Sequence, residues 1–189
     1  MSKKIMCLIT VFLILILTSC SASSAKPVET TADTTALEAL AFPFAFTAEN
    51  VFGNTVTEET LGERELFFVH YWATWCAPCV QEMPDLAKIA EEYSDRVGFI
   101  GLVSDFGSNS SGAKNIAETS GVPQSFIMVD AENEALSPLL SMVQSGYVPT
   151  TVIIDGNGKM LTAPLIGAYG ELYGTVLDTI LGVPPEVTP

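Results

Sequence analysis

Apolar and polar positions divide the chain into a short apolar leader, a polar stretch and a long segment in which strand and helix patterns alternate. Residues 5–17 are apolar apart from Thr10, and residues 21–36 are small and polar with no hydrophobic period. From about residue 40 onward, buried-strand runs and helical stripes follow one another. The length left over suits one globular domain of about 150 residues.

Strand patterns recur along this globular part. Phe42, Phe44 and Phe46 alternate with other residues, which predicts an opening strand, and the turn within 52–56 leads into a second short strand. Nearly continuous apolar runs predict central strands, because a strand covered on both faces needs no polar side. These runs cover residues 66–72, 97–103, 126–129 and 151–154.

Helical stripes fill the intervals between the runs. In the first of them Pro84 is expected to kink the helix, because proline lacks a backbone donor. The Gly/Ser/Asn run 107–112 predicts a loop before the second, and Gly182 with the two prolines after it marks the end of the last. The predicted helices cover residues 77–93, a short stretch ending near 119, 136–143 and 171–181.

The order of these elements predicts an α/β fold. Parallel strands joined by helices need crossover connections, and hence a sheet covered on both faces. The turn Asp155-Gly-Asn-Gly158 predicts a hairpin whose second arm runs through about 160–166. We therefore expect a central mixed β-sheet flanked by helices, with an N-terminal β extension and a central helical insertion.

The N-terminus resembles that of a bacterial lipoprotein. A basic end with Lys3 and Lys4 precedes the apolar run 5–17, which is too short to span a bilayer comfortably but fits a signal-peptide core. Leu17-Thr-Ser-Cys20 then resembles the lipobox, which implies lipid on Cys20 and an extracytoplasmic chain anchored to the bacterial cell membrane. A plain secretory signal is the alternative. The expected organisation is a signal peptide over 1–19, a flexible tether over 20–39, a globular domain over 40–184 and a tail over 185–189.

The charge balance narrows the range of partners. The chain has 22 acidic and 8 basic residues and a formal net charge of −14, and loss of Lys3 and Lys4 with the leader would make it two units more negative. Nucleic acid is not expected as a partner, because binding it requires clustered Lys and Arg. The acidity is typical of a solvated surface, and a basic partner protein has little support.

Only two of the four cysteines are expected in the mature domain. Cys7 lies in the leader and Cys20 is the expected lipid site, which leaves Cys76 and Cys79. A single pair in an exported domain of this size does not make a disulfide-stapled scaffold. The ring between the two residues is also too small to constrain the unfolded chain much, so stability is a poor explanation for the pair.

The segment Trp75-Cys76-Ala77-Pro78-Cys79 carries the chemistry. It follows a buried strand and opens a helix, where a Cys-x-x-Cys indicates a redox motif. Unpaired N–H groups and the helix dipole favour an anion there, so we expect the pKa of the Cys76 thiol to fall below its ordinary value. Cys79 lies on the same side of the first turn, close enough to attack a mixed disulfide. Pro78 is tolerated because its missing donor would be unpaired.

A metal site is the alternative use of two cysteines three apart. Zinc sites generally need three or four protein ligands. The mature chain offers only Cys76, Cys79 and the sole histidine, His70. We therefore predict no metal and no cofactor.

The segment 71–84, YWATWCAPCVQEMP, resembles the active site of the TlpA/ResA-type thiol-disulfide oxidoreductases of the thioredoxin superfamily. The resemblance implies a thioredoxin-like fold in which Cys76 attacks and Cys79 resolves. It also implies reduction of disulfides in exported proteins, such as apocytochromes during cytochrome c maturation. A thiol-transporting membrane protein would regenerate the reduced form.

The segment 146–151, GYVPTT, is the second match. The resemblance implies that Pro149 is cis and faces the cysteines, and that Val148 offers backbone groups to an extended partner chain. An ordinary turn proline is the alternative. The resemblance gives the following partner-contacting residues: Trp75, Ala77, Pro78, Val148 and Thr150.

Two further residues are candidates for proton transfer. Glu82 stands where ResA-like members carry a glutamate, and a partly buried carboxyl could relay a proton to or from Cys79. His70 occupies the place of the buried acid of thioredoxins, on the strand face that Trp72 shares, and could accept a proton or favour the thiolate. A solvated helix glutamate and a satisfied core histidine are the alternatives.

The leading functional hypothesis is a reductase of exported disulfides, although Ala77-Pro78 does not fix the redox direction. A peroxiredoxin-type peroxidase is a second possibility, which the Trp-Cys-x-x-Cys motif argues against. A copper chaperone is a third, but it would use a wider cysteine spacing and a distant histidine. An inactive binding module is the last, and the presence of both cysteines and Pro149 argues against it.

Overall fold

A five-stranded mixed sheet forms the centre of the protein, a computed structural model of which describes residues 37–184. The predicted signal peptide, lipid site Cys20, most of the tether and the tail 185–189 lie outside these residues. The strands are β1 (Thr47–Glu49), β2 (Thr55–Thr57), β3 (Leu66–Trp72), β4 (Val97–Val103), β5 (Phe126–Asp130), β6 (Thr150–Asp155) and β7 (Leu165–Ile166). The helices are α1 (Glu58–Leu61), α2 (Ala77–Glu92), α3 (Phe106–Thr119), α4 (Ser137–Val143) and α5 (Leu172–Leu181), with a 3-10 turn (Glu134–Leu136) before α4.

Strand β3 is the centre of the sheet, whose order is β5-β4-β3-β6-β7. It pairs in parallel with β4 and antiparallel with β6, so that His70 stands opposite Gly101 on one side and Thr151 on the other. Strands β1 and β2 form a separate two-stranded sheet. The predicted α/β class, mixed sheet and flanking helices are confirmed.

Each face of the sheet covers its own hydrophobic cluster, because successive side chains of a strand point in opposite directions. Helices α2, α3 and α5 pack on one face, and α4 packs on the other together with the segment before β1. The first cluster includes Phe68, Trp72, Met83, Leu86, Phe99, Phe126 and Tyr173. The second includes Phe42, Phe46, Phe67, Val69, Ile100, Ile127 and Leu139.

The predicted opening strand through Phe42, Phe44 and Phe46 is wrong. This segment is irregular, with a bend at Pro43 and Phe44, and the first strand begins only at Thr47. Their rings pack edge-to-face around Phe42, which also meets Phe67 with ring centroids 5.0 Å apart. Pro43 cannot donate to a ladder, so the alternation reflects an aromatic cluster and not a strand.

The turn between β1 and β2 confirms the second short strand. The buried Asn50 closes this turn, since its side-chain oxygen accepts from the backbone N–H groups of Phe52 and Asn54 at 3.0 Å each. This is the local bonding that makes asparagine common in turns.

The loop predicted at 107–112 is also wrong, because this run lies inside α3. The helix is broken only at Asn109, whose φ of −148° and ψ of 42° are not helical. Ala113 and Ala117 are completely buried in the first cluster. Packing of this small-residue face outweighs the weak helix propensity of the Gly/Ser/Asn run.

The predicted helix over 77–93 is confirmed as α2, which contains Pro84 in its interior, and the kink expected there stays a prediction. The predicted hairpin arm 160–166 is reduced to an isolated bridge at Met160 and the two residues of β7. The last helix is confirmed, and Gly182 ends it in the left-handed conformation, with φ 67°.

Within 37–184, no helix has both the length and the apolar content required to cross a bilayer.

The contact between β4 and β3 yields a test of the core. A Cβ on Gly98 would lie 2.6 Å from the ring of Phe67, and Phe67 is completely buried and unable to move aside. Gly98→Ala is expected to lower the free energy of unfolding by about 1–3 kcal/mol through overpacking. Urea denaturation measures this. Gly174→Ala is the control, because its added Cβ makes only an ordinary 3.6 Å contact, and an equal loss in both variants would contradict the account.

Candidate active site

Cys76 lies at the junction between the central strand and the helix that follows it. Strand β3 ends at Trp72, the backbone N–H of Cys76 donates to the Ala73 carbonyl oxygen at 3.2 Å, and Cys76 is the N-cap of α2. Pro78 stands in the first turn of the helix. The junction therefore directs the cysteine sulfur at the unpaired N–H groups of the helix start.

Cys76 and Cys79 are joined by a disulfide, with their Cα atoms 5.3 Å apart. The Cys76 sulfur accepts the backbone N–H of Cys79 at 3.3 Å. Cys76 keeps 5% of its surface exposed, whereas Cys79 has none. Any exposure of the pair is therefore at Cys76, and Cys79 lies entirely within the core.

The segment 147–150 lies across from this disulfide. The bond between Val148 and Pro149 is cis, and the Val148 carbonyl oxygen lies 3.6 Å from the Cys76 sulfur. The segment is fixed from both sides, since Gly167 donates its N–H to the Pro149 carbonyl at 2.8 Å and the Thr150 hydroxyl donates to the Tyr147 carbonyl at 2.8 Å. The structure thus brings the two motifs of the sequence together.

Exposed side chains neighbour Cys76 and Pro149 along the chain. Trp75 and Tyr147 are 69% and 67% exposed, which is unusual for large aromatic residues. Ala77 and Pro78 are also exposed, and Val148 is partly so. Thr150, in contrast, is completely buried beneath this surface.

Glu82 lies buried on the inner side of α2, 3% exposed, and not on a solvated face. Its Oε2 accepts backbone N–H groups from Tyr169 at 3.0 Å and Gly170 at 3.3 Å. Burial raises the pKa of Glu82 to about 7, and the two backbone N–H donors oppose part of that rise. The carboxyl is therefore able to exchange a proton near neutral pH.

His70 faces Glu82 across the core. Its Nε2 lies 3.6 Å from Glu82 Oε1, and each atom is buried without a closer polar partner. Its Nδ1 is 2.8 Å from the Thr151 hydroxyl, which lies 3.0 Å from the Tyr173 hydroxyl. Burial lowers the pKa of His70 to about 3, so the imidazole is neutral. The two ring nitrogens are thus directed at Thr151 and Glu82.

Sequence reasoning missed Thr151 and Tyr173, which complete this buried network. Thr151 carries a signal in retrospect, because it is a polar residue in an apolar strand and stands opposite His70 in the sheet. Tyr173 lies on α5, and the sequence around it gives no sign that its hydroxyl contacts Thr151. Among residues 37–184, no three His, Cys, Asp or Glu side chains come together in a group that could hold a metal ion.

Comparisons with known proteins agree with this geometry. The AhpC/TSA family matches residues 41–162. The thiol-disulfide oxidoreductase ResA of Geobacillus thermodenitrificans is 31% identical over 93 residues, which are 49% of this chain and 50% of that protein. The chain thus spans about half the length of the curated relatives it matches. The predicted TlpA/ResA-type resemblance is confirmed.

Solved structures confirm the thioredoxin-like fold. A thiol:disulfide interchange protein of the thioredoxin family from Chlorobium tepidum superposes with a TM-score of 0.59 at 22% identity, covering 76% of this chain and 94% of that one. StoA from Bacillus subtilis superposes with a TM-score of 0.54 at 17% identity, covering 74% and 98%.

Glu82 and His70 make opposite contributions to the pH dependence of stability. Because the pKa of Glu82 is raised from 4.5 to about 7, its contribution to the free energy of unfolding is lost as pH rises through this window. Because the pKa of His70 is lowered from 6.5 to about 3, its contribution is gained as pH rises from 3 to 6.5. The two cancel between about pH 4.5 and 6.5, so only a variant separates them.

Glu82→Gln separates them, since the amide keeps an acceptor for the two N–H groups but does not ionise. The free energy of unfolding of this variant, minus that of the wild type, is expected to rise by about 3 kcal/mol between pH 4.5 and 7 and then to level off. Urea denaturation across this pH range measures the difference. Glu91→Gln, an exposed position on the same helix, is the control. A difference that stays constant with pH would show that Glu82 ionises normally.

Proposed function

This chain belongs to the AhpC/TSA family, and on that premise we propose that it is a thiol-disulfide oxidoreductase that reduces disulfides in exported proteins through Cys76 and Cys79. One observation carries the proposal. The disulfide stands at the start of α2 with Cys76 as its less buried member and the Val148 carbonyl beside the Cys76 sulfur, and the exposed Trp75 and Tyr147 directly precede Cys76 and Val148 in the chain. Trp75, Tyr147 and Val148 form an exposed rim beside the disulfide, and a crosslink that served only stability would not require such a surface.

The reaction would proceed by two exchanges of sulfur partners. In the reduced protein the Cys76 thiolate attacks one sulfur of a substrate disulfide, and the other substrate sulfur leaves as a thiolate that takes up a proton. The Cys79 thiolate then attacks the Cys76 sulfur, which releases the second substrate thiol. The substrate gains two electrons and two protons, and the protein ends with the Cys76–Cys79 disulfide that the structure contains.

The helix start supplies the electrostatics of the first step. The Cys79 N–H already points at the Cys76 sulfur at 3.3 Å, and a thiolate there would accept the same donor at lower energy. The burial of Cys79 supports its role as the resolving thiol, because an incoming disulfide cannot compete for it. These features support the order in which Cys76 attacks and Cys79 resolves.

Substrate would bind across the exposed rim. An extended segment could pair with the backbone of Val148 in the manner of an added strand, next to the reacting sulfur. Trp75 and Tyr147 offer large apolar surfaces on either side. Pro149 would hold the Val148 carbonyl in place, while the buried Thr150 would fix Tyr147 from beneath.

Glu82 would act as the proton acceptor in the second step. It lies one turn after Cys79 on α2 and, with a pKa of about 7, can accept the proton of the Cys79 thiol before the attack. His70 stays neutral and would act through Glu82, to which its Nε2 is directed, and not on the sulfur itself.

The N-terminal sequence supports a location for the protein at the cell membrane. The basic end, apolar run and Leu17-Thr-Ser-Cys20 motif support a lipid anchor on Cys20, and the anchor would place the domain outside the cell membrane beside exported substrates and a membrane reductase that regenerates it. Intact-protein mass spectrometry of the membrane fraction is expected to find the mass of acyl chains on the wild type and not on Cys20→Ser. A wild type without added acyl mass would exclude the anchor.

Insulin reduction tests the roles of the two cysteines. Cys76→Ala is expected to abolish insulin-disulfide reduction with dithiothreitol as reductant, because the attacking sulfur is lost. Pre-reduced Cys79→Ala, freed of dithiothreitol before insulin is added, is expected to accumulate a mixed disulfide between Cys76 and insulin, because no second thiol of the protein resolves it. Turbidity and intact-protein mass spectrometry measure the two outcomes.

Undiminished turnover in Cys76→Ala would exclude the proposed reaction. Failure of the wild type on insulin together with rapid consumption of hydrogen peroxide would instead support the peroxidase alternative, whose substrate is a peroxide oxygen in place of a disulfide sulfur.

A further inference from the structure

The loop that presents Cys76 is attached to the neighbouring strand–helix connection by a carboxylate. Asp105 is the N-cap of α3, but its side chain does not cap that helix. Its Oδ1 accepts the backbone N–H of Thr74 at 3.0 Å, and its Oδ2 accepts the Thr74 hydroxyl. The carboxylate is therefore diverted from its own helix to the residue two positions before the attacking cysteine.

Asn109 makes a second attachment to the same residue. Its side-chain nitrogen donates to the Thr74 hydroxyl at 2.7 Å, so that this hydroxyl donates to Asp105 and accepts from Asn109. Asn109 is also the residue where α3 leaves helical geometry. The break in the helix thus coincides with the side chain that reaches the active-site loop.

Gly112 leaves the space that this side chain occupies. A Cβ on Gly112 would lie 2.5 Å from the side-chain nitrogen of Asn109 and 2.7 Å from its Cγ. Glycine is a poor helix former, and no positive φ requires it at this position. Room for Asn109 accounts for it.

We propose that Thr74, Asp105 and Asn109, with Gly112 providing the space, form a clamp that positions Cys76 for thiolate formation. The inference deepens the proposed function and rests on it. Thr74 lies inside the tight turn in which the Cys76 N–H donates to the Ala73 carbonyl, so any displacement of Thr74 moves the start of α2. The clamp holds that turn against α3, so the Cys76 sulfur keeps its alignment with the Cys79 N–H.

The clamp predicts a coupling between two positions of α3. Gly112→Ala should displace the Asn109 side chain from Thr74, and Asn109→Ala should remove the same bond directly. Each is expected to raise the pH midpoint of Cys76 alkylation in the reduced protein by about half a unit, the size of one hydrogen bond. The double variant is expected to shift no more than either single variant, because both act through one contact.

The measurement uses stopped-flow alkylation of the reduced protein over a range of pH, with the Cys76 peptide identified by mass spectrometry. Gly107→Ala is the matched control, since it lies in the same helix and an added Cβ there meets nothing within 4 Å. Thermal unfolding is recorded in parallel. Gly112→Ala is expected to keep or exceed wild-type stability, because alanine favours the helix. A variant that only destabilised the fold would lower the unfolding temperature without raising the pH midpoint of Cys76 alkylation.

Several results would overturn the clamp. These are an unchanged midpoint in Asn109→Ala, additive shifts in the double variant, or an equal shift in Gly107→Ala. If Gly112→Ala fails to fold, Asn109→Ala decides the question alone. Alkylation requires no protein substrate, so the clamp can fail while insulin reduction succeeds, and a chain that cannot reduce insulin can still show the coupling.

Discussion

The contact between the Cys76 sulfur and the Cys79 N–H is the interaction on which the site depends. It exists because a strand that is buried at every position except Tyr71 ends at Trp72 and a long helix begins at Ala77, so the sulfur occupies the place of a cap. The strand is held by partners on both sides, and the helix by packing of its buried face. A rigid sheet therefore fixes the position of one reactive atom.

Behind the disulfide, the core contains a buried acid and a buried imidazole that face each other. Their burial disfavours the charged form of both groups, so that in mildly acidic conditions Glu82 carries its proton and His70 carries none. The Thr151 hydroxyl, which is itself bonded to the Tyr173 hydroxyl, engages Nδ1 of the ring and leaves Nε2 for Glu82. The arrangement keeps a proton donor and acceptor inside the fold without a buried ion pair.

The parts of the fold that the sequence predicted correctly are those with strong local signals. Long apolar runs specify the central strands, and Cys-x-x-Cys after such a run specifies the junction. Two patterns gave wrong predictions because distant contacts decide the structure there. The alternating phenylalanines before residue 47 pack on Phe67, and the Gly/Ser/Asn run 107–112 is helical because the helix buries Ala113 and Ala117 in the first cluster. The network around His70 joins residues 81 positions apart, for which local periodicity carries no information.

A redox titration of the purified domain measures whether Cys76 and Cys79 form a reducing couple. The domain is equilibrated with glutathione buffers, and the Cys76–Cys79 disulfide is quantified by alkylation and mass spectrometry. We expect one reversible two-electron couple with a midpoint below about −220 mV, as for a reductant. A midpoint near −120 mV would indicate an oxidant, and two thiols that never join under mild oxidants would exclude a redox role for the pair.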